Sequence, residues 1–314
     1  MLKSPIFTSV CLIGLLFAAV VVAARWQTNV SLAAWPAISA APSASDVAVP
    51  GVQAGELVEG AIRLFQNCDS VAATINLEIN FLGYDLVGSG IYLEQDPARG
   101  HRLRMELSVQ RSDHAFTMLQ VCDGHYLWSY RQRTASPEVT RINLAKISRA
   151  HEQRDGKPFW PDDLTGMATY LRRLRNAFDF DAVEALRSAQ GQSLWRIRGH
   201  WKPGWLAVIL PEQKLAIEQG KAADLGMLPA YAPDEVVVYL RQEDLFPCTF
   251  EYCRTLQDKD GGRKTSVITA MWLTNIRLNI PIDTVRFNYN PGDLKPMDQT
   301  QWYMQNVYGL TDVK

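Results

Sequence analysis

Apolar and polar residues alternate with a period of two over long stretches between Val71 and Leu144. This period places successive side chains on opposite faces of a β-strand, so the pattern predicts consecutive antiparallel strands with one apolar face. Asp123-Gly124, flanked by β-branched and aromatic residues, predicts a tight type I′ turn inside the stretch. The predicted strands are Val71–Phe81, Leu86–Leu93, Arg102–Gln110, Phe116–Val121, His125–Arg131 and Val139–Leu144.

The segments before and after these strands have apolar residues at helical spacing. Glu56–Gln66 places its apolar residues on one face, which predicts an amphipathic helix before the first strand. Asp162 and Asp163 are typical capping residues for a second helix, whose apolar positions recur at helical spacing. These positions are Met167, Tyr170, Leu171, Leu174 and Phe178. We expect a loop with a helical turn over 147–161 and one or two further helical turns over Asp181–Ser188.

The C-terminal half returns to strand patterns after a less regular segment. Trp205–Leu210 fits either a strand or the start of a buried helix, and Pro211 followed by Glu212–Lys221 predicts a short helix. In the last long strand, alternation favours one face made of Ile268, Ala270, Trp272, Thr274, Ile276 and Leu278. The predicted strands here are Ser193–Gly199, Glu235–Arg241, Thr249–Thr255, Thr265–Leu278 and Val285–Tyr289.

Strands in this number without regular βαβ alternation predict a mainly β (α+β) fold. We expect one strongly curved antiparallel sheet, an unclosed half-barrel, with helices covering its concave face. The predicted domain occupies residues 55–295, followed by a C-terminal tail over 296–314. It is preceded by a flexible Ala/Pro/Ser linker over 26–54.

The N-terminus carries an uncharged, mostly apolar run from Ile6 to Ala24. As a helix this run would approach the roughly 30 Å of a bilayer core. Val22-Ala23-Ala24 also fits the small-residue rule of signal-peptide cleavage. Residues 1–25 therefore predict either a cleaved signal peptide or a retained signal-anchor helix. Both alternatives place the domain in the periplasm or otherwise outside the cytoplasm, in the second case anchored to the inner membrane by residues 6–24.

Charge and reactive side chains exclude several classes of function. The chain has 32 Lys and Arg residues against 33 Asp and Glu residues, so nothing favours nucleic acid as a partner. The cysteines show no disulfide framework; export would permit a Cys68–Cys122 or a Cys68–Cys253 bridge, but the pattern favours buried free thiols. The histidines lack metal-ligand spacing, so we expect surface positions and no metal or cofactor. These histidines are His101, His114, His125, His151 and His200.

Three stretches resemble the LolA/LolB-like family of periplasmic lipoprotein carriers. They are Gly88–Leu93 with Arg102–Leu107, Cys122–Tyr130, and Thr274–Asp283 with Phe287–Asp293. The second stretch is similar to the family's Asp-Gly-x-x-Leu-Trp-x-Tyr hairpin. RseB-type regulators share this fold.

The resemblance implies a non-enzymatic, exported protein that holds acyl chains of a lipid or lipoprotein in its concave apolar face. The alternative is a membrane-tethered, RseB-like sensory module that binds an envelope protein. An envelope hydrolase has no motif in its favour. Simple core packing is the competing interpretation of each predicted lipid-binding residue. These residues are Leu77, Ile79, Ile91, Leu93, Met105, Leu107, Tyr126, Trp128, Tyr130, Met167, Leu171, Leu174, Phe250, Tyr252, Ala270 and Trp272.

Overall fold

The computed structural model describes residues 47–48, 51–81, 84–95, 101–111, 114–133, 136–156, 165–257 and 263–310. The strands are β1 Val47–Ala48, β2 Ser70–Phe81, β3 Tyr84–Gln95, β4 Arg102–Arg111, β5 His114–Cys122, β6 Tyr126–Arg133, β7 Ser136–Asn143, β8 Phe178–Arg187, β9 Ser193–Trp201, β10 Glu235–Arg241, β11 Pro247–Gln257, β12 Arg263–Leu278 and β13 Met297–Asp298. The helices are α1 Ala54–Asn67, α2 Leu144–Asp155, α3 Met167–Ala177, α4 Pro203–Ile209, α5 Lys214–Glu218 and α6 Thr300–Asn306.

All the strands form one sheet in the order β1-β8-β9-β10-β11-β12-β2-β3-β4-β5-β6-β7-β13. Neighbouring strands are antiparallel, except that β13 pairs with β7 in parallel. The sheet is curved and unclosed, with β1 and β13 at its two ends. The predicted fold class is therefore confirmed.

Helices α1 and α3 cover the concave face. The predicted apolar stripe of α1 is buried against the sheet, and its residues Val58 and Ala61 have no exposed surface. On α3, Leu171 and Leu174 are equally buried in the same core. An ion pair between Arg175 and Glu59 joins the exposed sides of the two helices. The concave face is therefore the core of the domain.

Two segments predicted as loop or helix differ in the structure. Residues expected to form a loop after β7 form the helix α2, because Asn143 caps it by accepting a hydrogen bond from the Lys146 amide at 2.9 Å. Gly156 ends this helix in a left-handed conformation with φ 63°. Asp181–Ser188, expected as helical turns, lies almost entirely in β8, because the segment pairs with β9 along its length. Tertiary pairing overrides local helical preference here.

The predicted strand Val285–Tyr289 is also wrong, since Thr284–Phe287 forms a 3₁₀ turn. Asp283 starts this turn by accepting a hydrogen bond from the Val285 amide at 3.0 Å. The turn belongs to residues 279–298, which we call the C-terminal strap and which run across the convex face. Phe287 of the strap is fully buried in a cluster with Leu93. Apolar residues on both faces of β3 are therefore covered.

Residues 202–233 form a small side unit with its own core. The ambiguous segment beginning at Trp205 is helical, in α4, and Pro211 opens a 3₁₀ turn that leads into α5. Among the described residues, no helix is both long and apolar enough to cross a membrane. The run Ile6–Ala24 and the predicted capping residues Asp162 and Asp163 lie outside the described residues. Gly166 occupies the position before α3, and no side chain of a described residue caps that helix.

Candidate functional site

A cavity of about 50 Å³ lies between the concave face and the N-terminal end of α3. We call it the methionine cavity, because four of the eight methionines in the sequence line it. Among the described residues, no charged side chain lines it. The lining consists of Ile75, Tyr92, Leu103, Met105, Leu107, Met118, Gln120, Thr165, Gly166, Met167, Tyr170, Met271 and Leu273.

Methionines give this cavity an adaptable wall. Met105, Met118, Met167 and Met271 come from two neighbouring strands, from α3 and from β12, so they enclose the space from several sides. The methionine side chain is unbranched and polarisable, and it fills irregular gaps and adapts to different apolar surfaces. A cavity bounded in this way can change shape at lower cost than one lined by β-branched residues.

A buried polar cluster fixes the start of α3 at one end of the cavity. The Tyr92 hydroxyl donates a hydrogen bond to Glu94 and accepts one from the Met167 amide at 2.9 Å. The Thr165 hydroxyl donates to Gln120 Oε1 at 3.1 Å. Burial, and then the charge of Glu94, hold the pKa of Tyr92 well above its ordinary value, so Tyr92 remains a donor. The first turn of α3 is thus tied to β3 and β5.

His101 completes this polar cluster and corrects a prediction. The sequence predicts a surface histidine, but His101 is 0% exposed, and its Nδ1 lies 3.6 Å from Glu94 Oε1. Neither ring nitrogen has a hydrogen-bond partner within the described part of the chain. Gly166 packs closely against the pair, because a Cβ at this position would clash with Glu94 Oε1. Its φ of 91° also favours glycine, so the close approach of the segment before α3 depends on this residue.

Deeper in the core, Tyr170 and Tyr252 hydrogen-bond to each other through their hydroxyls. Burial first, and then the interaction with Tyr252, raise the pKa of Tyr170 well above its ordinary value. The Tyr170 ring also contacts Phe250 edge-on, with 5.0 Å between ring centroids. This packing holds the middle of α3 on β11, whereas its first turn depends on the polar cluster.

Nine of the sixteen predicted lipid-binding residues lie on the helix-covered side. Three of them line the methionine cavity: Met105, Leu107 and Met167. The other six pack in the surrounding core: Leu77, Ile79, Leu171, Leu174, Phe250 and Tyr252. Sequence reasoning did not identify most of the lining residues of the cavity. Met118 and Met271 are among those missed, although both occupy apolar positions in predicted strands.

The remaining seven residues lie on the opposite face, so their predicted position on the concave side is wrong. In β6, Leu127 points into the core, and the adjacent Tyr126 and Trp128 point outward, where Trp128 contacts Tyr289 of the strap at 5.6 Å between centroids. In β12, a bulge at Ile268 shifts the side-chain parity that the alternation implied. The seven residues are Ile91, Leu93, Tyr126, Trp128, Tyr130, Ala270 and Trp272.

The described residues contain no group of three or more His, Cys, Asp or Glu side chains that could hold a metal ion. The four described cysteines are unpaired thiols, and three of them are buried. Burial raises the pKa of Cys68 to about 11 and that of Cys122 to about 12, which keeps both thiols protonated and poorly nucleophilic near neutral pH. The described lining of the cavity offers apolar contact, and the neighbouring polar cluster attaches the first turn of α3.

No family model and no curated protein matches the chain. Among solved structures, it is similar to a DUF1329 family protein from Desulfovibrio piger, with 13% identity, 76% of this chain and 98% of that chain covered, and a TM-score of 0.34. It is also similar to MucB in complex with MucA(peri), with 8% identity, 76% of this chain and 60% of that chain covered, and a TM-score of 0.35. A third similar structure is a LolA superfamily protein from Nitrosomonas europaea, with 9% identity, 76% of this chain and 98% of that chain covered, and a TM-score of 0.29. These likenesses are distant, and no family, ligand, partner or activity of this chain follows from them.

Proposed function

We propose that this chain is an exported, non-enzymatic lipid- or lipoprotein-binding protein whose methionine cavity opens to receive one acyl chain. The observation that carries the proposal is the lining of the cavity, which joins four methionines to aliphatic side chains and includes no charge. Such a surface suits hydrocarbon of variable shape. The cavity also lies beneath the first turn of α3, where the Met167 amide is hydrogen-bonded to Tyr92.

The cavity is too small for an acyl chain, so part of the protein must move before one can enter. A chain of about 16 methylenes occupies on the order of 500 Å³, if each methylene takes the roughly 30 Å³ that a water molecule occupies in the liquid. The present 50 Å³ accommodates one or two methylenes. The N-terminal turn of α3 must therefore separate from the sheet, and its hydrogen bond from the Met167 amide to Tyr92 must break.

Burial of hydrocarbon supplies enough free energy for this opening. About 16 methylenes at about 0.8 kcal/mol each give roughly 13 kcal/mol gross. Loss of a few buried hydrogen bonds costs about 1–3 kcal/mol for each group left unsatisfied. One chain can thus be bound and still be released, whereas two or three fully buried chains would be bound too tightly for a carrier.

The test is a titration of the full chain with a fluorescent acyl probe, together with native mass spectrometry of the purified protein. Met118→Trp fills the cavity, and we expect it to abolish probe uptake and to remove any copurified lipid. Met227→Trp is the matched control, since Met227 is 59% exposed in the side unit, and it should bind as the parent does. Equal uptake by both variants, or no uptake by the parent, would contradict the proposal.

The small cavity volume favours a second candidate, the membrane-tethered interaction module. A core filled by its own side chains needs no ligand, and a partner protein would then bind the outer surfaces. The same variant separates the two candidates: in a cell that depends on this protein, Met118→Trp should abolish the function of a lipid carrier. It should leave the function of an interaction module intact, provided that the variant protein accumulates normally.

A further inference from the structure

A second concave site lies where the β5–β6 turn, the start of α2 and α6 meet. It is an open groove of about 680 Å³, within the range of about 300–1,000 Å³ typical of small-molecule sites. We call it the basic groove, because His125, Lys146 and Arg149 lie on its rim and its lining, as far as the structure describes the chain, includes no acidic residue. The whole chain has a formal net charge of -1, so this concentration of basic residues does not reflect a basic protein.

The basic side chains of the rim are available to a ligand. All three residues are exposed, and neither Lys146 nor Arg149 forms an ion pair within the described ranges. Asp123, the acidic residue closest in sequence to His125, accepts hydrogen bonds from the amides of His125 and Tyr126 at 2.7 Å each. Its carboxylate thereby orders the turn that carries His125.

The floor of the groove is apolar and fixed in place. Tyr126, Ala145 and Met304 form part of it, and the Tyr126 ring lies 5.6 Å from the guanidinium carbon of Arg141. Helix α6 is attached to the sheet because Thr300 Oγ1 accepts a hydrogen bond from the Asn143 amide at 2.8 Å. A cationic rim above an apolar floor is complementary to a ligand with an anionic head and a short apolar portion.

We propose that the basic groove binds the acidic headgroup region of a phospholipid, with the phosphate near Lys146 and Arg149 and the glycerol portion against Tyr126 and Met304. Lysine and arginine form charge-assisted hydrogen bonds with phosphate oxygens. The compact volume and apolar floor favour such an amphiphile over an extended acidic peptide. This site is separate from the methionine cavity and does not depend on acyl binding there.

The test uses the full chain and dihexanoyl phosphatidylglycerol below its critical micelle concentration, with binding measured by calorimetry. Lys146→Glu should weaken binding at least about tenfold, because one charge-assisted contact is lost. Ala145→Trp, which fills the groove without changing its charge, should weaken binding to a similar extent. Lys221→Glu makes the same charge change at an exposed lysine of the side unit and should leave binding unchanged.

Further titrations identify the source of the anion. Inorganic phosphate that binds as tightly as the phospholipid and is insensitive to Ala145→Trp would overturn the assignment to an amphiphile. So would a short glutamate peptide that displaces the phospholipid at equal concentration. Vesicles of phosphatidylcholine with phosphatidylglycerol should bind the parent more tightly than Lys146→Glu. Equal weakening by Lys221→Glu, or no saturable binding of the soluble phospholipid, would overturn the site.

Discussion

The β5–β6 hairpin contributes to two concave sites with opposite properties. The methionine cavity has a volume of about 50 Å³, lies under α3 and has no charged side chain in its described lining. The basic groove has a volume of about 680 Å³, is open to solvent and has three basic residues on its rim. The cavity must therefore deform before it can bind a ligand, whereas the groove already has the shape of a site. Ligand binding in the methionine cavity should depend on movement of α3, whereas binding in the basic groove should depend on the charge of its rim.

The largest difference is expected when the same charge is placed in both sites. Met118→Asp puts a carboxylate where only 3% of the side chain is exposed, and it should cost about 4 kcal/mol or more of unfolding free energy. Lys146→Asp in the first turn of α2 should change it by less than about 0.5 kcal/mol. Urea-induced unfolding measures both. If both variants lost similar amounts of unfolding free energy, the cavity would be hydrated and would not differ from the groove in its access to water.

A smaller difference is expected from paired removals of a hydroxyl. Tyr92→Phe removes the hydrogen bond to Glu94 and the acceptor of the Met167 amide, at a cost of about 2–3 kcal/mol. Tyr130→Phe removes an exposed hydrogen bond to Gln132, at a cost of less than about 0.5 kcal/mol. Thermal unfolding compares the two variants. Loss of less than about 1 kcal/mol in Tyr92→Phe would show that the polar cluster does not hold α3.

Alkaline pH should weaken the cavity side of the molecule. Burial raises the pKa of Cys122 from 9.0 to about 12 in the folded chain. Stability from the protonated thiol is present below pH 9 and is lost as the pH rises toward 12, because the unfolded chain releases this proton first. The free energy of unfolding, measured between pH 9 and pH 12, should fall less steeply with pH in Cys122→Ala than in the parent. Identical slopes would contradict the burial of this thiol.

The smallest effect is expected at Asp298, which lies just before α6 and outside the lining of the groove. Burial acts to raise the pKa of Asp298, but hydrogen bonds from Thr300 and the ion pair with Arg141 lower it overall. Its stabilising effect is therefore present above the ordinary pKa and is lost on acidification. Because the side chain is 44% exposed, Asp298→Asn should cost less than about 1 kcal/mol at neutral pH. A cost above about 2 kcal/mol would mean that α6 supports the whole sheet.

The strands of the first half could be predicted from the sequence because alternation and turn residues agree there. The face of each strand could not, since β3 is apolar on both sides: Tyr92 points to the cavity, and Leu93 packs beneath the strap residue Phe287. In β12, the bulge at Ile268 reversed the parity assigned to Ala270 and Trp272. A period of two identifies a strand, but coverage from distant residues decides which face is interior.

The candidate site depends on contacts far apart in sequence. Thr165 meets Gln120, and the Met167 amide meets Tyr92, so no local pattern could join these residues. His101 appears as an isolated histidine in the sequence, but it is buried, and the distant residue Gly166 packs against its ring. The methionines could have indicated the cavity, since Met105 and Met118 both occupy inward positions of neighbouring predicted strands.

The central claim is that α3 separates from the sheet when an acyl chain enters the methionine cavity. Amide hydrogen exchange at Met167, measured by NMR with and without a saturating fatty acid, tests it most directly. The account predicts faster exchange at this amide in the bound state, because its hydrogen bond to Tyr92 is broken, while Leu174 in the last turn of α3 stays protected. Unchanged or slower exchange at Met167 in a protein saturated with fatty acid would contradict it.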